Sequence, residues 1–290
     1  MKVDWRRARR VLEHTTTSTY AALAVVTAGA SALMLLIDPA GADQPQGARF
    51  AALGDSYSSG NGTTGSKGSE CGKTERAYGS LVASSLGYKT RDPQDFQNTA
   101  CANADTNDLI ENQLNILGEN TKIVTLTIGG NDNGAFFKTV VACGINPIES
   151  LCEKTYKTMS SLAERDLPHR LDAAYRAINK RIGTGTTVLV GGYPHGFGDG
   201  ETCPWPVPDG NKTRLNDLAD RINQAIKGAV NRMGPQWAYV DPDFTGHELC
   251  TMNPWVWGME NVTDDIGSVF HPNDEGHRQY ARRTIEELRR

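Results

Sequence analysis

The 290-residue sequence has no C-x-x-C pair, no internal repeat, no low-complexity tract and no Pro- or Ser-rich linker inside residues 43–290. Without C-x-x-C spacing its six cysteines do not read as a zinc site. Without a linker, residues 43–290 read as one domain. Positive charge is not in surplus either: 30 Lys+Arg stand against 34 Asp+Glu, a formal charge of −4. That leaves no electrostatic footprint for nucleic acid or an anionic membrane. With 38% hydrophobic residues, the chain can still bury a sizeable core.

Residues 1–42 carry Arg6, Arg7, Arg9 and Arg10, then an uncharged apolar stretch from Tyr20 to Ile37, then Ala40-Gly41-Ala42. A basic flank, an apolar run and a small-x-small site describe a secretory signal peptide cleaved near Ala42. The competing reading is a membrane anchor, because the run is about long enough to span. The paired arginines leave Sec and twin-arginine export both open. Cleavage would remove Lys2, the four Arg, Asp4, Glu13 and Asp38, leaving 25 Lys+Arg against 31 Asp+Glu, a charge of −6. The expected product is an extracellular protein without a stable membrane anchor, expected to be a monomer.

All six cysteines, Cys71, Cys101, Cys143, Cys152, Cys203 and Cys250, lie behind that segment. An even count after an export signal points to disulfides. Fifteen connectivities exist in principle. The sequential one (71–101, 143–152, 203–250) is preferred because it staples three successive regions without threading.

Five short segments read as buried strands: 49–53, 95–99, 122–128, 186–191 and 236–240. Helical spacing occupies the intervals, with a long helix expected over 162–182 and an amphipathic one over 215–230. A last helix is expected from Asp274 to Arg290. Strands alternating with helices imply a three-layer α/β/α sandwich around a five-stranded parallel sheet. Long irregular insertions are expected at 60–74, 143–155, 192–211 and 241–270, and loops of that length tend to be functional.

The first strand stops at Gly54-Asp55-Ser56-Tyr57-Ser58. Strand ends are where open α/β sheets place chemistry, so Ser56 is a candidate nucleophile. A hydroxyl is inert at neutral pH without a base in reach. Among the six histidines, His14 lies in the leader, His169 falls in a helical pattern, and His195, His247 and His277 are harder to dismiss. His271 is the best candidate base, because Pro272 and the capping Asn273 or Asp274 hold it on a rigid corner before the last helix. Gly129-Gly130-Asn131-Asp132 follows the third strand as directly as Gly54-Asp55-Ser56 follows the first, so Asn131 could offer an amide donor at the same sheet edge. The blander reading of that segment is a tight turn. Asp55 reads as a turn and cap residue.

Gly54-Asp55-Ser56-Tyr57-Ser58, Gly129-x-Asn131-Asp132 and a C-terminal His271 in Phe270-His271-Pro272-Asn273 together resemble the main blocks of the SGNH (GDSL) hydrolases. With six cysteines, the arrangement is similar to the secreted actinobacterial lipase/esterase branch. The resemblance implies a flavodoxin-like fold and a carboxylic ester hydrolase acting on acylglycerols or other small esters, with no cofactor and no metal. It implies Ser56 as nucleophile, His271 as general base, and the Ser56 N–H, the Asn103 N–H and the Asn131 amide as oxyanion donors. Asn103 stands where the family has a glycine, in Ala100-Cys101-Ala102-Asn103-Ala104. Ser268 stands where a family acid would precede His271, and Asp264 and Asp265 have a different spacing. The resemblance to the secreted branch implies a Ser–His dyad, with the Ser268 main-chain carbonyl orienting the imidazole. Gly246-His247 would pack near the site, and Trp205, Trp255 and Trp257 could form a binding rim or lids over loop cores. No Gly-x-Ser-x-Gly occurs, which argues against the α/β-hydrolase fold and its nucleophile elbow. The rival expectations are a carbohydrate O-acetyl esterase, a phospholipase, or a catalytically silent polysaccharide- or lipid-binding module.

Overall fold

The computed structural model describes residues 46–290 except 146–147, 199–202, 204–206 and 259–265. The segment 1–42, Asp264, Asp265 and Trp205 therefore lie outside the described residues. Among the described residues, no helix is long and apolar enough to cross a membrane.

Five parallel strands form one sheet in the order β2-β1-β3-β4-β5. They are β1 (Phe50–Gly54), β2 (Phe96–Asn98), β3 (Ile123–Thr127), β4 (Thr187–Gly191) and β5 (Trp237–Val240). Alternation along β1 sends Phe50 and Ala52 to one face and Ala51 and Leu53 to the other, and all four are buried. Helices are needed on both sides, and the chain supplies them. Eight are described: α1 (Ser56–Ser59), α2 (Tyr78–Ser85), α3 (Thr106–Asn112), α4 (Ala135–Thr139), α5 (Glu149–Arg165), α6 (Leu167–Asn179), α7 (Asp209–Asn231) and α8 (Asp274–Leu288). Leu171, Tyr175 and Ile178 of α6 and Leu218, Ile222 and Ile226 of α7 cover Leu53, Val124 and Val190. Tyr78 and Val82 of α2 and Tyr280 of α8 cover Phe50 and Ala52. This is the expected three-layer sandwich.

Two local expectations are corrected. The long helix over 162–182 is two helices, α5 and α6, meeting at Asp166. Pro168, in the first turn of α6, has no N–H to donate back into α5, so the helix restarts there. The supposed irregular insertion at 143–155 is largely helical in its described residues: a π-helix covers Val140–Ile145 and α5 begins at Glu149. Its apolar positions are sparse, and local pairs such as Glu153–Lys157 at 2.6 Å support the exposed face.

The three disulfides are Cys71–Cys101, Cys143–Cys152 and Cys203–Cys250, the sequential pairing. Because β1 has β2 on one side and β3 on the other, the connections leaving β1 and β3 diverge. The crevice this opens lies beyond the carboxyl ends of those two strands.

Candidate active site

Gly54 closes β1 at φ 117°, and a Cβ there would sit 2.1 Å from the Thr127 carbonyl, so only glycine lets the chain turn against β3. Asp55 then caps α1, its carboxylate accepting the Tyr57 N–H at 3.0 Å. Ser56 follows as the first residue of that short helix, 7% exposed. Asp55 does more than cap. It also accepts from the Thr127 hydroxyl at 2.9 Å and from the Tyr193 hydroxyl. Burial pushes its carboxyl up to about 6, against the pull of those three hydrogen bonds.

His271 Nε2 lies 2.8 Å from Ser56 Oγ. The other ring nitrogen, Nδ1, is 3.1 Å from the Val269 carbonyl. A carbonyl only accepts, so Nδ1 carries the proton and Nε2 is left to accept from the serine. The orienting carbonyl was expected at Ser268; the one at 3.1 Å from Nδ1 belongs to Val269. Ser268's carbonyl accepts the His271 main-chain N–H at 2.9 Å and is used in closing that turn. The loop is held by the Phe270 N–H to Trp257 and the Trp257 N–H to His271, at 2.8 and 3.0 Å. Phe270 adopts φ 63°, and its carbonyl accepts the Tyr57 hydroxyl at 2.6 Å. Tyr57, next to Ser56, thereby joins the serine turn to the histidine loop.

Asn103 occupies a turn closed by the Ala104 N–H to the Cys101 carbonyl, with φ 68°. The left-handed conformation suits a glycine position, and asparagine tolerates it. Asn131 donates to the Ala104 carbonyl at 3.1 Å, which ties the loop after β3 to the Asn103 turn. Its amide has a second N–H. Asp132 makes a second tie, accepting the Thr106 hydroxyl at 2.6 Å, and burial pushes its carboxyl up to about 6. Gly130 admits no side chain, since a Cβ would lie 2.6 Å from the Phe136 ring.

Ser56, Asn103, Asn131 and His271 all line one cavity, whose walls include Phe136, Val140, Phe197, Leu215, Val269 and Phe270. Phe137 stands at its rim, 72% exposed. Among the described residues, the remaining histidines are engaged elsewhere. His195 lines the cavity but pairs with Asp220 at 2.8 Å, and His247 stacks on Trp255. His277 is fully buried, accepting the Tyr78 N–H on Nδ1 and donating from Nε2 to Asn61, and burial pushes it down to about 4. His169 is exposed on α6. Trp257 donates to Gly62 and Trp255 packs on His247 and Phe244, so both serve loop packing.

Sequence reasoning missed Tyr193, the apolar cavity walls and Gln113. The Gln113 amide clasps Gly54 by accepting its N–H and donating to its carbonyl, at 2.6 and 2.8 Å. Tyr193 had a usable signal: it follows Gly191-Gly192 at the end of β4, the same sheet edge as Ser56. Gln113 had none, being a polar residue at the end of a helix.

A serine hydroxyl on an imidazole, beside amide groups in an apolar-walled crevice of a parallel sheet, is an arrangement that can carry out acyl transfer. The comparisons agree with that class. Residues 52–279 match the GDSL-like Lipase/Acylhydrolase family. The chain is 33% identical over 229 residues to Lipase 1 of Streptomyces coelicolor, covering 78% of this chain and 81% of that one. A lipase of Streptomyces rimosus is 32% identical over 259 residues, 85% of this chain and 92% of the relative. Among solved structures, the extracellular lipase of S. rimosus superposes with a TM-score of 0.73 at 32% identity, over 83% of this chain and 99% of that chain. Phospholipase A1 of Streptomyces albidoflavus superposes at 0.71, also 32% identical, over 82% of this chain and 98% of that chain. The chain belongs to the GDSL-like lipase/acylhydrolase family and is a carboxylic ester hydrolase.

Proposed function

We propose that this is a secreted lipase or esterase that cleaves carboxylic esters through an acyl-enzyme on Ser56, with His271 as general base in a Ser–His dyad. The observation that carries it is the 2.8 Å contact between Ser56 Oγ and His271 Nε2, with Nδ1 facing the Val269 carbonyl. Ser56 Oγ attacks the ester carbonyl as its proton moves to Nε2. The Ser56 N–H, the Asn103 N–H and the Asn131 amide hold the oxyanion. His271 returns the proton to the departing alcohol, then activates water to hydrolyse the acyl-enzyme. The main-chain carbonyl of Val269, 3.1 Å from Nδ1, holds the imidazole with Nε2 toward the serine.

Aromatic and aliphatic walls, with Phe137 exposed at the rim, favour an acyl chain over a sugar ring, and so a lipase or esterase over a carbohydrate deacetylase. The fold likeness to a phospholipase A1 keeps phospholipid esters as the second reading. Export rests on residues 1–42, whose basic flank, apolar run and Ala40-Gly41-Ala42 support a signal peptide cleaved near Ala42. The extracellular S. rimosus lipase supports the same destination.

The test is hydrolysis of p-nitrophenyl esters from acetyl to palmitoyl, and of a diacyl phosphatidylcholine, by residues 43–290. Ser56→Ala and His271→Ala should abolish activity, with an optimum on acyl chains longer than acetyl. Activity surviving in either variant refutes the assignment. Asp264→Asn and Asp265→Asn should each stay within about tenfold of wild type, and a loss of about 10⁴-fold in either would replace the dyad by a triad.

A further inference from the structure

Ser56 and Asn131 sit on loops leaving different strands, β1 and β3. The strands stay in register only to Gly54 and Thr127. Beyond that point the two loops need another reference, because catalysis is sensitive to displacements of a fraction of an ångström between a nucleophile and its donors. Tyr193, arriving from β4, touches both loops. Its hydroxyl donates to the Asp55 carboxylate and accepts the Gly130 N–H at 3.0 Å. On one side the bonded chain runs through Asp55 to the Tyr57 N–H, either side of Ser56. On the other it ends one residue before Asn131.

The phenol is itself fixed. Asn223 on α7 brackets the Tyr193 main chain, accepting its N–H and donating to its carbonyl, both at 2.8 Å. The ring is 2% exposed and lies edge-on to Tyr57 and Phe136, with centroids 5.2 and 5.0 Å away. A phenylalanine would keep all of that packing. It would lose only the oxygen that serves both loops.

We propose that Tyr193 is a positioning residue that sets the distance between Ser56 and the Asn131 oxyanion donor, by bonding Asp55 and the Gly130 N–H through one hydroxyl. This rests on the assignment of Ser56 and Asn131 made above. Without the hydroxyl, the buried Gly130 N–H loses its acceptor. The Gly129-Gly130 segment, free of side chains, can then rotate to find another and carry the Asn131 amide with it.

The experiment is a double-mutant cycle on p-nitrophenyl butyrate with wild type, Tyr193→Phe, Asn131→Ala and the double variant, beside Ser56→Ala. Rates are normalised to the sites labelled by a phosphonate ester, so unfolded molecules drop out. Tyr193→Phe should lower kcat by about 10- to 100-fold with KM within about twofold, a part of what removing an oxyanion donor costs. In the Asn131→Ala background the same change should cost less than about threefold, since the group it positions is gone. Equal factors in both backgrounds, or an unchanged kcat, would overturn the proposal. If Tyr193→Phe does not accumulate, 3-fluorotyrosine at 193 keeps the shape and alters the hydroxyl, and the same non-additivity decides. An active Ser56→Ala would instead strike down the underlying assignment.

Discussion

Removing the disulfides one at a time separates stability from activity in a way the fold makes specific. Loop-closure entropy scales with the residues enclosed. For separations of 9, 30 and 47 it gives about 2.6, 3.6 and 4.0 kcal/mol for Cys143–Cys152, Cys71–Cys101 and Cys203–Cys250. Paired Cys→Ala variants should lose stability in that order. Activity should follow a different order. Cys71–Cys101 fastens the turn that presents Asn103, and the Ala102 N–H to Cys71 carbonyl bond at 2.9 Å lies beside it. The other two bridges lie elsewhere in the chain, and none of their four cysteines lines the cavity. Urea unfolding at pH 7 gives the three free energies, and kcat/KM on p-nitrophenyl butyrate without denaturant gives the activities. The Cys71→Ala/Cys101→Ala variant should lose about tenfold or more in kcat/KM while still folded, a fraction of a whole oxyanion donor. The Cys143→Ala/Cys152→Ala variant should stay within about threefold. Wild-type kcat/KM without Cys71–Cys101 would refute the claim that the bridge holds an oxyanion turn. A Cys143–Cys152 loss as large as that of Cys203–Cys250 would refute the entropy argument.

Tyr57→Phe deletes the bond to the Phe270 carbonyl, which supports a non-glycine residue at φ 63° just before His271. It should cost about 1–2 kcal/mol in urea unfolding and lower kcat more than it raises KM. A variant with wild-type kcat would show that the Trp257 main-chain bonds suffice. His277, pushed down from 6.5 to about 4, is neutral when folded, so its stabilising contribution is present above pH 6.5 and disappears as pH falls toward 4. That amounts to about 3 kcal/mol. Urea midpoints at pH 7 and pH 4 should therefore differ less in His277→Asn than in wild type, and equal differences would refute the assignment. Asp55 and Asp132 work in the opposite sense, since carboxyls raised to about 6 favour the folded state at low pH and lose that contribution as pH rises through 6.

Local chemistry was legible wherever one residue type had one workable use. A strand of fully buried residues stopping at Gly54 marks a sheet edge, and Asn273 before an apolar-periodic stretch marks a helix start, where its side chain accepts the Glu275 and Gly276 N–H groups. Strand–helix alternation carried the layer order, and the even cysteine count carried the cross-linking. The break between α5 and α6 was written in Pro168 and overridden by periodicity that ran through it. Val269 could not be told from Ser268, because every residue has a carbonyl and only the loop's curvature decides which one faces the ring.

The sequence by itself determined the sheet, the strand-end placement of Ser56 and Asn131, and the corner that carries His271, because burial period, glycine and proline act over a few residues. Only the tertiary structure decided that Tyr193 bridges two loops, that Tyr57 reaches the histidine loop, and that Phe136 and Phe197 wall one cavity. Those contacts join residues tens to hundreds of positions apart, and their partners are common residue types whose roles depend on where the fold brings them.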